Sequence, residues 1–428
     1  MRRLHLIPFF LALLVIVTPP QTIAQIDQKS TIVQVDPQPT RDPLGYGLLD
    51  GPTAITLVDL NRDGRPEIVV TNRRTNTVSV LLNGGSGNFS IKARYATGVA
   101  PSAVVAFDLN RDGKPDIAVA NSGSDTVSVF FGNGDGTLTK AKDYPTGSVP
   151  SALIACDLNH DRSPDLIVAN RYGNSVSVLM GKANATLSPK VDYPAGFLPY
   201  SVLLNDVKRD GRQDLLVTSS FDHVVSILPG HGDGTFGPRK RFATAKRSCS
   251  VLIGELAGDR PSIIVPSRFG YLMSLQLVRA DGSEESRQEY LSGKGPRSIL
   301  AGDFNQDGKL DLAVVNAGHL AGEPGSVFIF LGNGAGAFES KASYVTGNAS
   351  HSLAIGDLNG DGKLDIAVLN GSYDFGGSVS ILFGNGDGTF GGRADYATGG
   401  YQIWVNFGED TGGKSDQKAG ATEKPKQK

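Results

Sequence analysis

Asp59-Leu60-Asn61-Arg62-Asp63-Gly64-Arg65-Pro66-Glu67 is the stretch from which the fold can be read. Oxygen-bearing side chains stand at its first, third, fifth and ninth positions, with glycine at the sixth. Alternating residues of a tight loop can aim their oxygens at one point, and carboxylate and amide oxygens suit a hard cation such as calcium. The sixth position calls for positive φ, which glycine adopts at little steric cost. An EF-hand calcium loop opens with the same spacing but ends in Glu at position twelve, between helices. Here the last acid comes at position nine and apolar β-type runs flank the loop, so the stretch predicts a connection between two strands.

The loop recurs. Copies begin at Asp59, Asp108, Asp157, Asp206, Glu255 (degenerate), Asp303 and Asp357, at intervals of 49, 49, 49, 49, 48 and 54 residues. Such a fixed period is the mark of a repeat architecture. The longer last interval comes from an enlarged hairpin at residues 318–325. The second copy displays the internal plan. Residues 102–107 form a nearly continuous apolar run, the nine-residue loop follows, and residues 117–120 make a second short strand. After a polar turn, Val127, Val129 and Phe131 alternate along a third strand. A glycine-rich hairpin, Gly132-Asn-Gly-Asp-Gly-Thr137, leads to a more polar fourth strand at 140–144.

Four antiparallel strands per unit, buried first and polar last, predict an all-β chain: a seven-bladed β-propeller with a cation loop between the first and second strands of each blade. Packing every blade between two neighbours buries both of its faces. The composition agrees, since 54 glycines and three methionines suit many tight turns and few helices. The expected layout is a leader at 1–24, an N-terminal segment at 25–50, the propeller at 51–408 and a disordered Gly/Lys/Gln-rich tail at 409–428. Fragments at 41–46 and 402–407 align with an outer and an inner strand and are candidates for closing the ring.

Arg2 and Arg3, an apolar centre at 9–17 and the small-residue site Thr22-Ile23-Ala24 read as a secretory signal. Export is therefore expected, to the medium, periplasm or cell surface, with no stable membrane insertion once the leader is removed. A formal net charge of -2 argues against a nucleic-acid partner. The two cysteines, Cys156 and Cys249, fall at unmatched places in non-adjacent units and are expected to be free thiols. Metal would then brace this protein where disulfides do not.

The copies differ as metal sites. Four are intact: Asp59, Asn61, Asp63, Glu67; Asp108, Asn110, Asp112, Asp116; Asp303, Asn305, Asp307, Asp311; and Asp357, Asn359, Asp361, Asp365. The third has Asp157, Asn159, Asp161 and Asp165 but puts Arg162 in the glycine position, which predicts a weaker site. The fourth has Asp206, Asp210 and Asp214 but Lys208 at a ligand position, where an ammonium would compete for the carboxylates and stand in for the ion. The fifth has lost too much to bind. About four to five calcium ions are expected in all. Turn propensity alone explains Asp, Asn and Gly here, but not three carboxylates at constant offsets in four copies.

These units resemble the FG-GAP/VCBS-type repeats of secreted proteins and of the integrin α-chain propeller. The shared pattern is Asp-x-Asn-x-Asp-Gly-x-x-Asp followed by hairpins such as Phe131-Gly-Asn-Gly-Asp-Gly-Thr-Leu138 and Phe383-Gly-Asn-Gly-Asp-Gly-Thr-Phe390. The resemblance covers residues 51–399 and implies an exported bacterial protein, a propeller fold and calcium at the matching positions. It implies little about function, because the family includes adhesion modules, lectin-like binders and enzyme accessories.

No zinc-type histidine spacing, nucleophile elbow, phosphate loop or dinucleotide fingerprint is present. The leading reading is a monomeric binding or adhesion module for a protein or glycan. The alternatives are an extracellular carbohydrate-active enzyme such as a polysaccharide lyase, its site assembled across blades, and a structural repeat without a specific ligand. A binding face is expected opposite the cation loops, on the turns between second and third strands, where the copies differ most. Its candidate residues are Arg73, Arg74, Arg171, Tyr172, Phe221, Arg268, Phe269, Tyr373 and Phe375.

Overall fold

The computed structural model describes residues 33–34, 51–219, 224–243, 250, 252–257, 260–267, 271–278, 284–318, 323–371 and 377–398. Each repeat folds in phase into one four-stranded antiparallel sheet. The seven sheets occupy residues 52–96, 101–145, 150–194, 199–243, 252–291, 296–348 and 350–397, and are blades 1 to 7 in chain order. Their strands pair in simple sequence order.

Burial follows the sequence pattern. In blade 1 the second strand, Glu67–Asn72, is buried at every position, whereas most of the fourth, Phe89–Ala96, is open to water. The apolar side chains of neighbouring blades merge into clusters that run from blade to blade. No blade therefore has a core of its own, which is why the unit is stable only as part of a ring.

Two repeated devices tie blade to blade, and neither is legible as a motif. The first lies near the axis. In six blades the register shifts at the second residue of the first strand: Thr53, Ser102, Ser151, Tyr200, Arg297 and His351. Such a bulge re-aims a side chain. Thr53 Oγ1 donates to the Pro101 carbonyl (2.7 Å), Ser102 Oγ to Pro150 (2.7 Å) and Ser151 Oγ to Pro199 (3.1 Å). The second device lies at the rim, where a fourth-strand tyrosine reaches the hairpin of the next blade. Tyr95 Oη accepts from Leu138 N–H (2.9 Å), Tyr290 from Phe338 N–H (3.3 Å) and Tyr344 from Phe390 N–H (2.8 Å).

The same two devices join blade 7 to blade 1. His351 Nε2 lies 3.0 Å from the Pro52 carbonyl, and Tyr396 Oη donates to Gly87. Phe89 stacks edge-on against Tyr396, and Asn83 Nδ2 donates to the Leu358 carbonyl (2.9 Å). Blade 7 draws all four strands from 350–397 and meets blade 1 directly. The expected closing fragments at 41–46 and 402–407, the leader and the tail lie outside the described residues. Val33–Gln34 pairs antiparallel with the first strand of blade 3, Val33 opposite Leu153. Cys156 is a free thiol whose pKa burial pushes upward, and Cys249 lies outside the described residues.

Candidate metal centres

The nine-residue loops join first to second strands at one face of the ring. The glycine-rich hairpins share that face: Gly136 N–H of blade 2 donates to the Leu60 carbonyl of the blade 1 loop (3.2 Å), and Gly388 N–H of blade 7 to Phe304 of the blade 6 loop (3.0 Å).

Within each loop the polar side chains gather round the loop's own amides. In blade 1, Asp63 N–H donates to Asp59 Oδ1 (3.1 Å) and Asn61 Oδ1 (3.0 Å), while Gly64 N–H donates to Asp59 Oδ2 (2.9 Å). The pattern recurs around Asp108 and Asn110, around Asp303 and Asn305, and around Asp357 and Asn359. Positive φ falls where glycine was expected, at Gly64, Gly113, Gly308 and Gly362, and Arg162 adopts it in the third loop (69°). It also falls at the fourth position, on Arg62, Arg111, His160, Arg209 and Gln306, a second left-handed residue that a glycine announces only in blade 7, at Gly360.

The ninth acid has a place of its own. Glu67, Asp116, Asp165, Asp311 and Asp365 are wholly buried. In blade 2, Asp116 Oδ2 accepts from Leu109 N–H (2.8 Å) and Oδ1 from Gly132 N–H (2.9 Å). One carboxylate thus ties the loop to the base of the hairpin. Asp165, Asp311 and Asp365 repeat these two bonds. Burial pushes Glu67 and Asp365 up to about 7 and Asp116, Asp165 and Asp311 up to about 6, while the backbone donors pull the other way. The nearby loop aspartates push further upward.

Among the described residues no group of three or more His, Cys, Asp or Glu side chains is placed so as to hold a metal ion. The donor chemistry nevertheless fits a hard cation. Asp59 Oδ1 and Oδ2 and Asn61 Oδ1 each accept one amide hydrogen and keep a second lone pair. Asp63 Oδ2, by contrast, accepts from both Asn61 Nδ2 and Arg65 Nη2, and Asp357 Oδ1 from both Gly360 and Asp361 N–H. In the intact loops a basic seventh residue lies against the fifth acid, as in Arg65–Asp63 (2.5 Å), Lys114–Asp112 (3.5 Å), Lys309–Asp307 (3.2 Å) and Lys363–Asp361 (3.4 Å). These pairs are partly exposed and are worth little by themselves.

The remaining loops part ways. In blade 3, Ser163 replaces the basic residue, and Arg111 reaches across from blade 2 to donate to Ser163 Oγ and the Asp161 carbonyl (3.1 Å). In blade 4, Lys208 Nζ sits 3.1 Å from Oδ1 of the buried Asp214. In blade 5 there is no loop. The first strand, Leu252–Ala257, runs almost straight into the second, Arg260–Pro266, with Ala257 paired to Arg260.

The opposite face carries the turns between second and third strands and the inter-blade connections, which bond to each other. Ala100 N–H donates to Asn76 Oδ1 (2.8 Å), Val149 N–H to Asp125 Oδ1 (2.7 Å) and Leu198 N–H to Asn174 Oδ1 (2.9 Å). Of the candidate face residues, Arg74 and Tyr172 are exposed and Arg73 is half-buried. Arg171 is buried against the Tyr200 ring, 5.8 Å from its centroid. Phe221, Arg268, Phe269, Tyr373 and Phe375 lie outside the described residues. Sequence reading passed over Val99, Phe197, Tyr271 and Leu291, which are exposed in connections, at a turn and at the end of a fourth strand.

The FG-GAP-like repeat family matches residues 59–119, 108–168, 157–217 and 303–368, more than half of the chain. The chain belongs to this family. Blade 5, which lacks the loop, falls outside the matched segments. Among solved structures, a putative 6-phosphogluconolactonase from Bacteroides uniformis is 16% identical with TM-score 0.55, covering 84% of this chain and 99% of its own. A functionally unknown protein from Desulfotomaculum acetoxidans is 10% identical with TM-score 0.53, covering 79% and 94%. BBS1N, crystallised in complex with ARL6DN, is 10% identical with TM-score 0.54, covering 76% and 90%. At these identities the likeness is one of fold. No curated protein matches the chain. Fold and family together define a binding or structural module.

Proposed function

We propose that this chain is an exported, calcium-braced propeller whose loop-free face binds a protein or glycan. The observation that carries the binding reading is a division of labour between faces. None of the exposed large apolar side chains among the described residues lies in a nine-residue loop or a glycine-rich hairpin. Tyr172 (47% exposed), Phe197 (49%) and Tyr271 (47%) lie in the turns and connections of the other face. Rigid aromatic side chains on a fixed scaffold are the groups that anchor protein partners and stack on sugars. The complex of BBS1N with ARL6DN supports a protein partner for a ring of this shape.

Calcium is supported by the donor set of the loops of blades 1, 2, 6 and 7, in which buried and exposed carboxylates repel until a cation joins them. A glycan array run beside a polysaccharide-degradation screen tests the binding role. Binding without turnover, weakened by Tyr172→Ala and Tyr271→Ala, is expected. Release of product from a polysaccharide would overturn the binding role in favour of a carbohydrate-active enzyme.

A further inference from the structure

The first strands of the blades lie each against the next, from blade 1 round to blade 7 and back to blade 1, and so enclose the axis. In blades 1, 2, 4, 5, 6 and 7 that strand is the last of its sheet, so among the described residues its axial edge has no sheet partner. An edge of this kind presents a row of backbone donors and acceptors on which a further strand can form.

Blade 3 is the exception. Its sheet has five strands, because Val33–Gln34 pairs antiparallel with the axial edge of its first strand, Val33 opposite Leu153 and Gln34 opposite Ala152. Ala152 and Leu153 are the third and fourth residues of the seven-residue strand Pro150–Cys156, so the pairing falls within the ring and not at its mouth. The added strand also lies against the first strands of blades 1, 2 and 7. A two-residue strand that meets four consecutive inner strands at mid-length occupies the channel they enclose.

This position spans the weakest join of the ring. Blades 7 and 1 are the two ends of the propeller, and they are held together by side-chain bonds and share no sheet. Val33–Gln34 touches both of them as well as blades 2 and 3. The local sequence suits a strand. Thr31, Ile32, Val33 and Val35 are β-branched, a class enriched in strands, and Pro37, which has no N–H to give to a ladder, follows shortly after.

We propose that the N-terminal segment is an internal latch: the strand centred on Val33–Gln34 enters the axial channel, extends blade 3 and braces the seam between blades 7 and 1 from within. Strand addition of this kind gains main-chain hydrogen bonds along an edge that would otherwise have none. It differs from closure by an outer strand at 41–46 or an inner strand at 402–407, because the latch completes no blade. It involves neither the cation loops nor the turns of the opposite face.

Cross-linking tests the position. In the full chain carrying Cys156→Ala and Cys249→Ala, the substitutions Gln34→Cys and Ala152→Cys fall directly opposite one another. The Cβ atoms of such a pair are about 4.5–5.5 Å apart, close to disulfide range, and the core residue Leu153 is left intact. Oxidised glutathione should join the peptides holding residues 34 and 152 in most chains, as read by mass spectrometry of a non-reduced digest. Joining should be much weaker when Ala103→Cys, the matching position of blade 2, replaces Ala152→Cys. No joined peptide in a folded chain, or equal joining to both positions, would overturn the placement. Melting tests the bracing. Neighbouring positions of an antiparallel pair alternate between hydrogen-bonded and non-hydrogen-bonded, so Val33→Pro with Gln34→Pro removes the donor whichever of the two supplies it. Tm should fall by about 2 °C or more, and amide exchange should quicken in the first strands of blades 7 and 1 as well as blade 3. A double-proline variant that melts and exchanges like the parent would overturn the latch.

Discussion

The loops of blades 2 and 4 share a backbone plan but differ in how their charge is met. In blade 2 the buried Asp116 accepts from the Leu109 and Gly132 amides, and more distantly from that of Asn110, and the neutral Asn110 stands at the third position. In blade 4 Lys208 fills that position. Its ammonium bonds to Asp214 Oδ1, which also accepts Gly230 N–H (3.0 Å), while Oδ2 of Asp214 is buried without a partner. Val207 N–H, the counterpart of Leu109, donates to Asn205 instead. Burial raises Asp116 toward neutrality, whereas in blade 4 a built-in cation lies against the corresponding buried carboxylate. On the proposed calcium reading, one lysine converts a loop that would take a metal into one that supplies its own counter-ion. Positive charge near the acids comes from a side chain of the same loop in blade 4 and from an arginine of the preceding blade in blade 3, where Arg111 Nη2 lies 3.9 Å from Asp161 Oδ1.

This contrast can be broken in several ways. The largest effect belongs to calcium itself. With the blade 2 type of loop loaded in several blades, each saturated site adds about 2.7 kcal/mol at a hundredfold excess of ligand over Kd. Scanning calorimetry in calcium and in EDTA should therefore differ by many degrees, and coincident melts would remove metal from the account. Next comes Asp116→Ala, which orphans two buried amides and should cost roughly 2–4 kcal/mol in urea unfolding. Asp214→Ala orphans one amide and frees Lys208 to solvent, so it should cost less. A reversed order would refute the assigned roles.

Lys208→Asn completes the ligand pattern in blade 4. Bound calcium, measured by mass spectrometry of the dialysed protein, should rise by about one ion per chain. An unchanged count would show that the ammonium is not what keeps the ion out. Arg162→Gly should stabilise blade 3 by about 1 kcal/mol, because its left-handed φ is unfavourable for a residue with a Cβ. A lower urea midpoint in that variant would contradict the backbone reading. Smallest is Tyr396→Phe, which removes the hydroxyl bridge to Gly87 at the seam and should cost about 1 kcal/mol. Limited proteolysis at the junction of blades 7 and 1 would report it, and an unaltered digestion pattern would argue against a tyrosine clasp there.

The propeller was legible because its signals are local and repeated. Aspartates at a 49-residue period mark each unit, and alternating valines mark each strand. The in-loop positions of Arg162 and Lys208 were legible too, since each departs from a pattern set by its sister copies. The role of the ninth acid was not. In sequence Asp116 looks like one more ligand, and only the paired chain places Gly132 N–H beside it. The inter-blade bonds were hidden for a similar reason. Thr53 and Ser102 are ordinary strand residues until a bulge turns them sideways, and His351 meets Pro52 across 299 positions of sequence.

The candidate binding face was the least readable part. Residue type and variability drew attention to Arg171, which is buried, and away from Phe197, which is exposed. The sequence by itself determined the number of blades, the order of strands within them and the loops rich in cation-suited oxygens, because these depend on the chemistry of neighbouring residues. Only the tertiary structure decided which acids turn inward, how the ring meets itself, and that Val33–Gln34 pairs with the first strand of blade 3. Those outcomes depend on atoms brought together from different strands, where distance along the chain carries no information about distance in space.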